Sequence, residues 1–411
     1  MRTAHLFAVT LLASSAALAD QRAQPQSADA QQTIVVTGPR MQEFRDRLAA
    51  CLARHCPVNE DVDATLALAE ALFLNGDYAQ ARTAVRASLG RNRDQAASFP
   101  EPVSDLYRAT SRITRHIGLD REARIASFGI LTALQAGIPV EDYRHFTARL
   151  EIAELQMVSS YLQSSSFSGA RRELQELARV ARAAGREDVA TIAELRECWY
   201  ELIAYPGSTS AMTRLTEWAA RTEPAERMRA NGARIVLARI YRYQGDEARA
   251  NALLAEVGSS GASARRRLIN SPHYTLGQQE MRLEGDQDLS AGIAFGNTLN
   301  RVTENFDNKW IDVGFWVMPD GSVSGLEIVR RGATPDWSEP LLAAIRGRTY
   351  STGPEATYRL ERYTFTAPMQ QGTGSRIGHR APNARAEYLD LTVEGQMPPP
   401  PAAPTTGGMT R

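Results

Sequence analysis

The chain has 411 residues, long enough for two or three domains, and its 47 Lys+Arg balance 47 Asp+Glu for a formal net charge of zero. That balance excludes the broad basic field that draws nucleic acid or anionic lipid. Lys309 is the only lysine, so arginine carries nearly all the positive charge.

Residues 1–19, MRTAHLFAVTLLASSAALA, read as a secretion signal. Arg2 supplies the charged start, Leu6 to Ala13 the apolar centre, and Ala17-Leu18-Ala19 a small-residue cleavage site before Asp20. The apolar run of about 14 residues is short of the roughly 20 that span a bilayer. No cysteine follows the cleavage site, so a lipoprotein is not expected. The expectation is a soluble, exported mature chain, with an uncleaved inner-membrane anchor as the alternative. Residues 20–40 form a polar, Ala/Gln-rich leader expected to be disordered. Within it, residues 33–38 (Thr33, Ile34, Val35, Val36, Thr37, Gly38) are β-branched and isolated. This hexamer resembles the TonB box, by which outer-membrane receptors add a strand to TonB's sheet. A short strand docked on this protein's own body is the other reading.

Cys51 and Cys56 lie too far apart to bridge within one unbroken helix. Pro57 biases Cys56 out of the helical region, so the chain can fold back there. Either a disulfide caps that helix, or both thiols stay reduced in the core. Cys198 is expected to pack as a small hydrophobe.

Residues 41–257 read as helical. Leu68-Ala69-x-x-Leu72-x-x-x-Gly76-Asp77-Tyr78-x-x-Ala81-x-x-x-Val85 and Leu237-Ala238-x-x-Tyr241-x-x-x-Gly245-Asp246-x-x-x-Ala250-x-x-x-Leu254 share one register. Large residues on the first helix nest against the small alanine of the second, and Gly-Asp makes the turn. This pattern resembles the tetratricopeptide (TPR) repeat. Weaker copies put turn centres near residues 76, 118, 165, 207 and 245, roughly 40 apart rather than 34, which predicts divergent helix pairs with longer helices.

Residues 258–300 are a linker and lead-in. Gly258 to Ser263 break the helical pattern, and Arg265-Arg266-Arg267 is expected to be a solvated surface. The domain at 301–367 is built around Lys309 to Arg331. Ile311, Val313, Phe315 and Val317 alternate with Asp312, Gly314, Trp316 and Met318, as a strand requires. Pro319-Asp320-Gly321 supplies the turn, and Val323 to Val329 returns with Leu326 and Ile328 out of phase, so a bulge is expected. A helix opens at Thr334-Pro335 or at Ser338, with Trp337, Leu341, Ala344 and Ile345 on one face. Tyr358 to Phe365 is the third strand.

This order, with V-x-F-x-V-x-P-D-G-x-V-x-x-L-x-I and then L-L-A-A-I-R-x-R-x-Y, resembles the C-terminal domain of TonB-type energy transducers. It rests on Val313, Phe315, Val317, Pro319, Asp320, Gly321, Val323, Leu326, Ile328, Leu342, Ile345, Arg346, Arg348 and Tyr350. The Tyr-Pro segment and the Pro-rich arm that usually precede that domain are not present. Residues 368–411 read as an irregular extension, with Glu387 to Thr392 as an extra strand, and a disordered Pro-rich tail.

Catalytic and metal-ligating patterns are not found. The six histidines (5, 55, 116, 145, 273 and 379) are scattered, Gly207-Ser208-Thr209-Ser210 is no nucleophile elbow, and Gly372 to Gly378 is no dinucleotide fingerprint. Asp286 and Asp288 read as an acidic loop rather than a calcium site. No catalytic, cofactor-binding or metal residue is assigned, and no cofactor is expected.

The sequence therefore predicts an α+β multidomain chain, an all-α TPR-like solenoid followed by a small β-β-α-β TonB C-terminal-like domain. The expected function is non-enzymatic protein binding in the periplasm of a Gram-negative cell. The partners would be cell-envelope proteins or peptides, TonB-dependent receptors or TonB-like domains among them, with no nucleic acid and no small-molecule substrate. A membrane-anchored TonB-type energy transducer is the alternative. Binding is expected by strand addition along Tyr358, Leu360, Arg362, Tyr363 and Phe365. Trp316 is either covered by a neighbouring helix or part of a contact surface.

Overall fold

A computed structural model describes residues 38–160, 164–259, 266, 268–272, 306, 308–333, 338–371, 378–380 and 385–392. Residues 1–19, Thr33 to Thr37, Asp286, Asp288, Trp337 and the tail from residue 393 lie outside the described residues. The fold is α+β, a helical region followed by a small antiparallel sheet region.

The helices are α1 (Gly38–Ala53), α2 (Val58–Leu74), α3 (Tyr78–Asn92), α4 (Pro100–His116), α5 (Asp120–Gln135), α6 (Tyr143–Ser160), α7 (Ser164–Ala183), α8 (Glu187–Ala204), α9 (Thr209–Ala219), α10 (Arg227–Tyr243) and α11 (Glu247–Ser259). From α2 onward they form five antiparallel pairs. Turns fall at 75–77, 117–119, 205–208 and 244–246, close to four of the five expected centres, whereas residue 165 lies inside α7.

The turns have a physical cause. Gly76, Gly118 and Gly245 adopt φ of +87°, +74° and +84°. In each, the following residue's N–H donates five residues back: Asp77 to the Leu72 carbonyl, Leu119 to Thr114, and Asp246 to Tyr241, each at 2.8 Å. Such a cap satisfies carbonyls that a helix end would otherwise leave open, and only glycine takes the left-handed position without strain. Five residues after each glycine comes a fully buried alanine, Ala81, Ala123 and Ala250. These let the second helix lie close on the first. Pro100 opens α4 where its missing N–H costs nothing, and the Ser208 hydroxyl caps α9 by accepting from the Ala211 N–H.

The sheet region adds β1 (Leu268–Asn270), β2 (Trp310–Val317), β3 (Val323–Arg331), α12 (Ser338–Arg346), β4 (Thr349–Tyr350), β5 (Thr357–Thr366), β6 (Met369–Gln371), β7 (Gly378–Arg380) and β8 (Arg385–Asp390). The main sheet has the order β3-β2-β5-β8, all antiparallel; β1 pairs with β4, and β6 with β7. Ile311, Val313, Phe315 and Val317 share one face and pack on Leu341, Leu342 and Ile345 of α12. The register of β3 slips twice, once across Gly325 (φ +60°) and once at Val329, so the out-of-phase apolar residues reflect real bulges.

The strand expected at Glu387 to Thr392 forms as β8 at Arg385–Asp390 and is the fourth strand of the sheet. Arg266 is buried rather than solvated: its guanidinium donates to the Ser351 carbonyl at 3.0 Å and to the Glu355 carbonyl, while its own carbonyl accepts from Arg359. With the Pro319 carbonyl at 3.4 Å, three backbone carbonyls thus close on one side chain that composition alone would place in water. Of the two readings of Trp316, the structure shows it buried, with its ring 5.4 Å from that of Tyr358. Among the described residues, no helix is long and apolar enough to cross a membrane.

Candidate functional site

The face of β2 opposite α12 is where the sheet meets the helices. Asp312 and Arg362 sit opposite each other on β2 and β5, and both are fully buried. The Arg362 Nε donates to Asp312 Oδ1 at 2.6 Å and its Nη2 to Oδ2 at 2.9 Å. The same guanidinium donates to the Phe73 carbonyl at 2.6 Å and to the Leu74 carbonyl at 2.7 Å. Those carbonyls end α2, where the helix dipole places partial negative charge. Trp310 lies under the guanidinium at 3.9 Å and belongs to the core of the first helix pair. One cation therefore serves a carboxylate in its own sheet and a helix terminus 288 residues earlier.

Five more contacts extend this junction to the second turn. The Thr364 hydroxyl shares hydrogen bonds with the Tyr78 hydroxyl (2.8 Å) and with His116 Nδ1 (2.9 Å). Arg385 donates to both oxygens of Asp120, and Arg115 reaches Glu387 at 3.1 Å. The Met369 N–H donates to the Gly118 carbonyl at 2.8 Å. Burial pushes the His116 imidazole down to about 3, with Arg115, Arg362 and Arg385 adding to it against the opposing Glu387. Burial alone would raise the Glu387 carboxyl, but Arg115 and Arg385 outweigh it and hold it at about 2. The imidazole is neutral and the carboxylate charged at any ordinary pH. The glycines matter here for a second reason: a Cβ on Gly76 would meet Trp310 Nε1 at 2.2 Å, and one on Gly118 the Ala367 carbonyl at 2.1 Å.

The strand-addition edge expected at Tyr358, Leu360, Arg362, Tyr363 and Phe365 is closed. β5 pairs with β2 on one side and with β8 on the other from Glu361 to Thr366, and Leu391 donates to the Leu360 carbonyl. Arg362, Tyr363 and Phe365 are buried; Tyr358 and Leu360 are half-buried. Among the described residues the sheet ends in β3 on one side and β8 on the other, and the two bulges of β3 leave only a short regular run there. Bulged edges are poor templates for another chain.

Cys51 and Cys56 are joined by a disulfide with Cα atoms 5.2 Å apart, and the bridge closes the turn from α1 into α2. With Glu60 they form the one group of metal-compatible spacing among the described residues, and bridged sulfurs are not free to ligate. Cys198 is buried, its thiol pushed up to about 12 by burial, as suits an inert core residue.

The helical stack itself carries exposed apolar groups. Ile125 and Phe128, one turn apart on α5, are 60% and 45% exposed, and Val140 and Tyr205 also face solvent. Sequence reasoning missed the junction residues. Asp312, an acid at an inward position of an otherwise apolar strand, was the signal that an arginine would have to meet it.

No protein-family model matches this chain, and no curated protein matches it. Among solved structures the chain is similar to BtubC (BKLC) from P. vanneervenii, a crystal structure, with 16% identity and a TM-score of 0.39 over 57% of this chain and 97% of that one.

Proposed function

We propose that this chain is an exported periplasmic scaffold that binds other proteins and catalyses no reaction. In this reading its helix pairs are divergent TPR-like repeats and its sheet unit is a TonB C-terminal-like domain, associated with TonB-dependent outer-membrane transport. The observation that carries the reading is the recurring turn glycine followed by a fully buried alanine, at Gly76 and Ala81, Gly118 and Ala123, and Gly245 and Ala250. A stack built on that register buries its small residues inside and leaves whole helix faces for partners. Capture belongs to the stack rather than to β5, whose edge β8 occupies.

The membrane-anchored energy transducer is the weaker reading. Force transmission needs a sheet unit free to reach its partner, and Arg362 fixes this one to α2. Mass spectrometry of the mature N-terminus separates the two, since a chain beginning at Asp20 removes the anchored version. The scaffold reading itself is tested by placing a photo-crosslinking residue at Phe128 or Ile125 in the native envelope. Discrete protein adducts are expected; their absence from both positions overturns the reading.

A further inference from the structure

At the first two turns the stack offers acceptors, the carbonyls of Phe73, Leu74 and Ile117 and the carboxylate of Asp120, to arginines of the sheet unit. Further along the same end of the stack, where α7 begins and α8 finishes, the polarity is reversed. There Ser168, Arg171, Arg172 and Gln175 of α7 and Tyr205 after α8 line an open depression of about 400 Å³.

Two buried carboxylates hold its lining side chains from behind. Glu197, 3% exposed, accepts from Arg171 Nε at 3.2 Å, Gln175 Nε2 at 2.6 Å and Arg214 Nη1 at 3.0 Å. Glu201, also buried, lies 3.1 Å from Arg171 Nη2 and accepts from the Ser208 hydroxyl. Both acids are thus spent on holding donors in place. Arg171 and Arg214 balance Glu197 and Glu201 in charge, and Arg172, on the same lining, adds one positive charge. Among the described residues the excess sits on Arg172 and on Nη1 of Arg171, beside the Ser168 hydroxyl and the Tyr205 ring, which is 59% exposed.

We infer that this depression is a docking subsite for an acidic segment of a protein partner. The partner's carboxylate bridges Arg171 and Arg172, and its next residue lies on the Tyr205 ring. The inference rests on the protein-binding reading and specifies its chemistry. A second copy of the sheet unit would bring arginines to arginines, so the surface selects against it. The hold on Arg171 by Glu197 and Glu201 removes rotamer freedom before the partner arrives, which lowers the entropic cost of binding.

The test uses the full mature chain and a fluorescein-labelled hexaglutamate peptide, followed by fluorescence anisotropy at low and at physiological salt. Binding that weakens with salt is expected. Arg172→Glu should weaken it at least tenfold and Tyr205→Ala several-fold, both with unchanged circular dichroism and Tm because both side chains are exposed. Arg124→Glu on the exposed face of α5 should leave it unaltered. Absence of binding by the native chain, or equal binding by Arg172→Glu, overturns the subsite. Crosslinking from Phe128 in the envelope reads the broader proposal separately: adducts there with no peptide binding would sink the subsite and leave the scaffold standing.

Discussion

The two faces of the β3-β2-β5-β8 sheet each bury an arginine, and they satisfy it in different ways. On the α12 side, Arg348 donates to Glu361 at 2.6 Å and to the Tyr363 hydroxyl at 2.7 Å, all within the sheet unit. On the opposite side, Arg362 finds one carboxylate at home and the rest of its acceptors on α2. The first arrangement closes a core. The second joins two cores, and the shared Trp310 makes the joint apolar as well as charged. The lesson is that a buried cation stabilises whatever supplies its acceptors, so its partners, not its burial, define what it holds together.

The largest expected effect breaks that comparison directly. Arg362→Met and Arg348→Met should each cost about 3–5 kcal/mol, the usual penalty for stranding a buried charge. They should differ in where the structure loosens. Hydrogen exchange in Arg362→Met should rise at residues 73–78, the end of α2 and its turn. In Arg348→Met it should rise in α12 and β5 and leave α2 protected. Identical exchange maps would mean that the two faces are not energetically distinct.

A smaller effect concerns pH. His116 is held neutral in the fold, down at about 3, whereas the unfolded chain protonates it near 6.5. Its contribution is therefore complete above pH 6.5 and is lost as pH falls towards 3, about 2 kcal/mol at pH 5. Glu387, at about 2 in the fold, adds a loss of the same sign below pH 4.5. Glu154, raised by burial, works the other way in acid. The Tm should thus drop between pH 7 and pH 5, and His116→Gln should flatten that drop. An unchanged slope would show that the junction does not set the acid response.

The smallest effect compares a docked turn with a free one. Gly76→Ala and Gly245→Ala both force a side chain into φ above +80°, which costs about 1–2 kcal/mol. Only the first also drives a methyl group into Trp310, since nothing lies within 4 Å of a Cβ on Gly245. Thermal melts should show the larger loss for Gly76→Ala. Equal losses would mean that Trp310 yields freely.

Much of the local structure was legible. The alternation of β2, the Pro319-Asp320-Gly321 turn, the β3 bulge and four of the helix turns follow from patterns that short stretches of chain carry themselves. The junction was not. Arg362 stands in a strand that reads as a partner-binding edge, and Arg266 stands in a basic run. Nothing near either residue announces the carbonyls that bury them. The extra strand was read at Glu387 to Thr392 and forms at Arg385–Asp390, but no pattern said that it would close the β5 edge.

The sequence by itself determined the elements and their periods, because side-chain spacing, glycine conformation and turn chemistry act over a few residues. Tertiary structure alone decided which edges are sealed and which charges are buried. Those outcomes depend on acceptors hundreds of residues away, the Phe73 and Leu74 carbonyls for Arg362 and Asp120 for Arg385, which only the packed chain brings within reach.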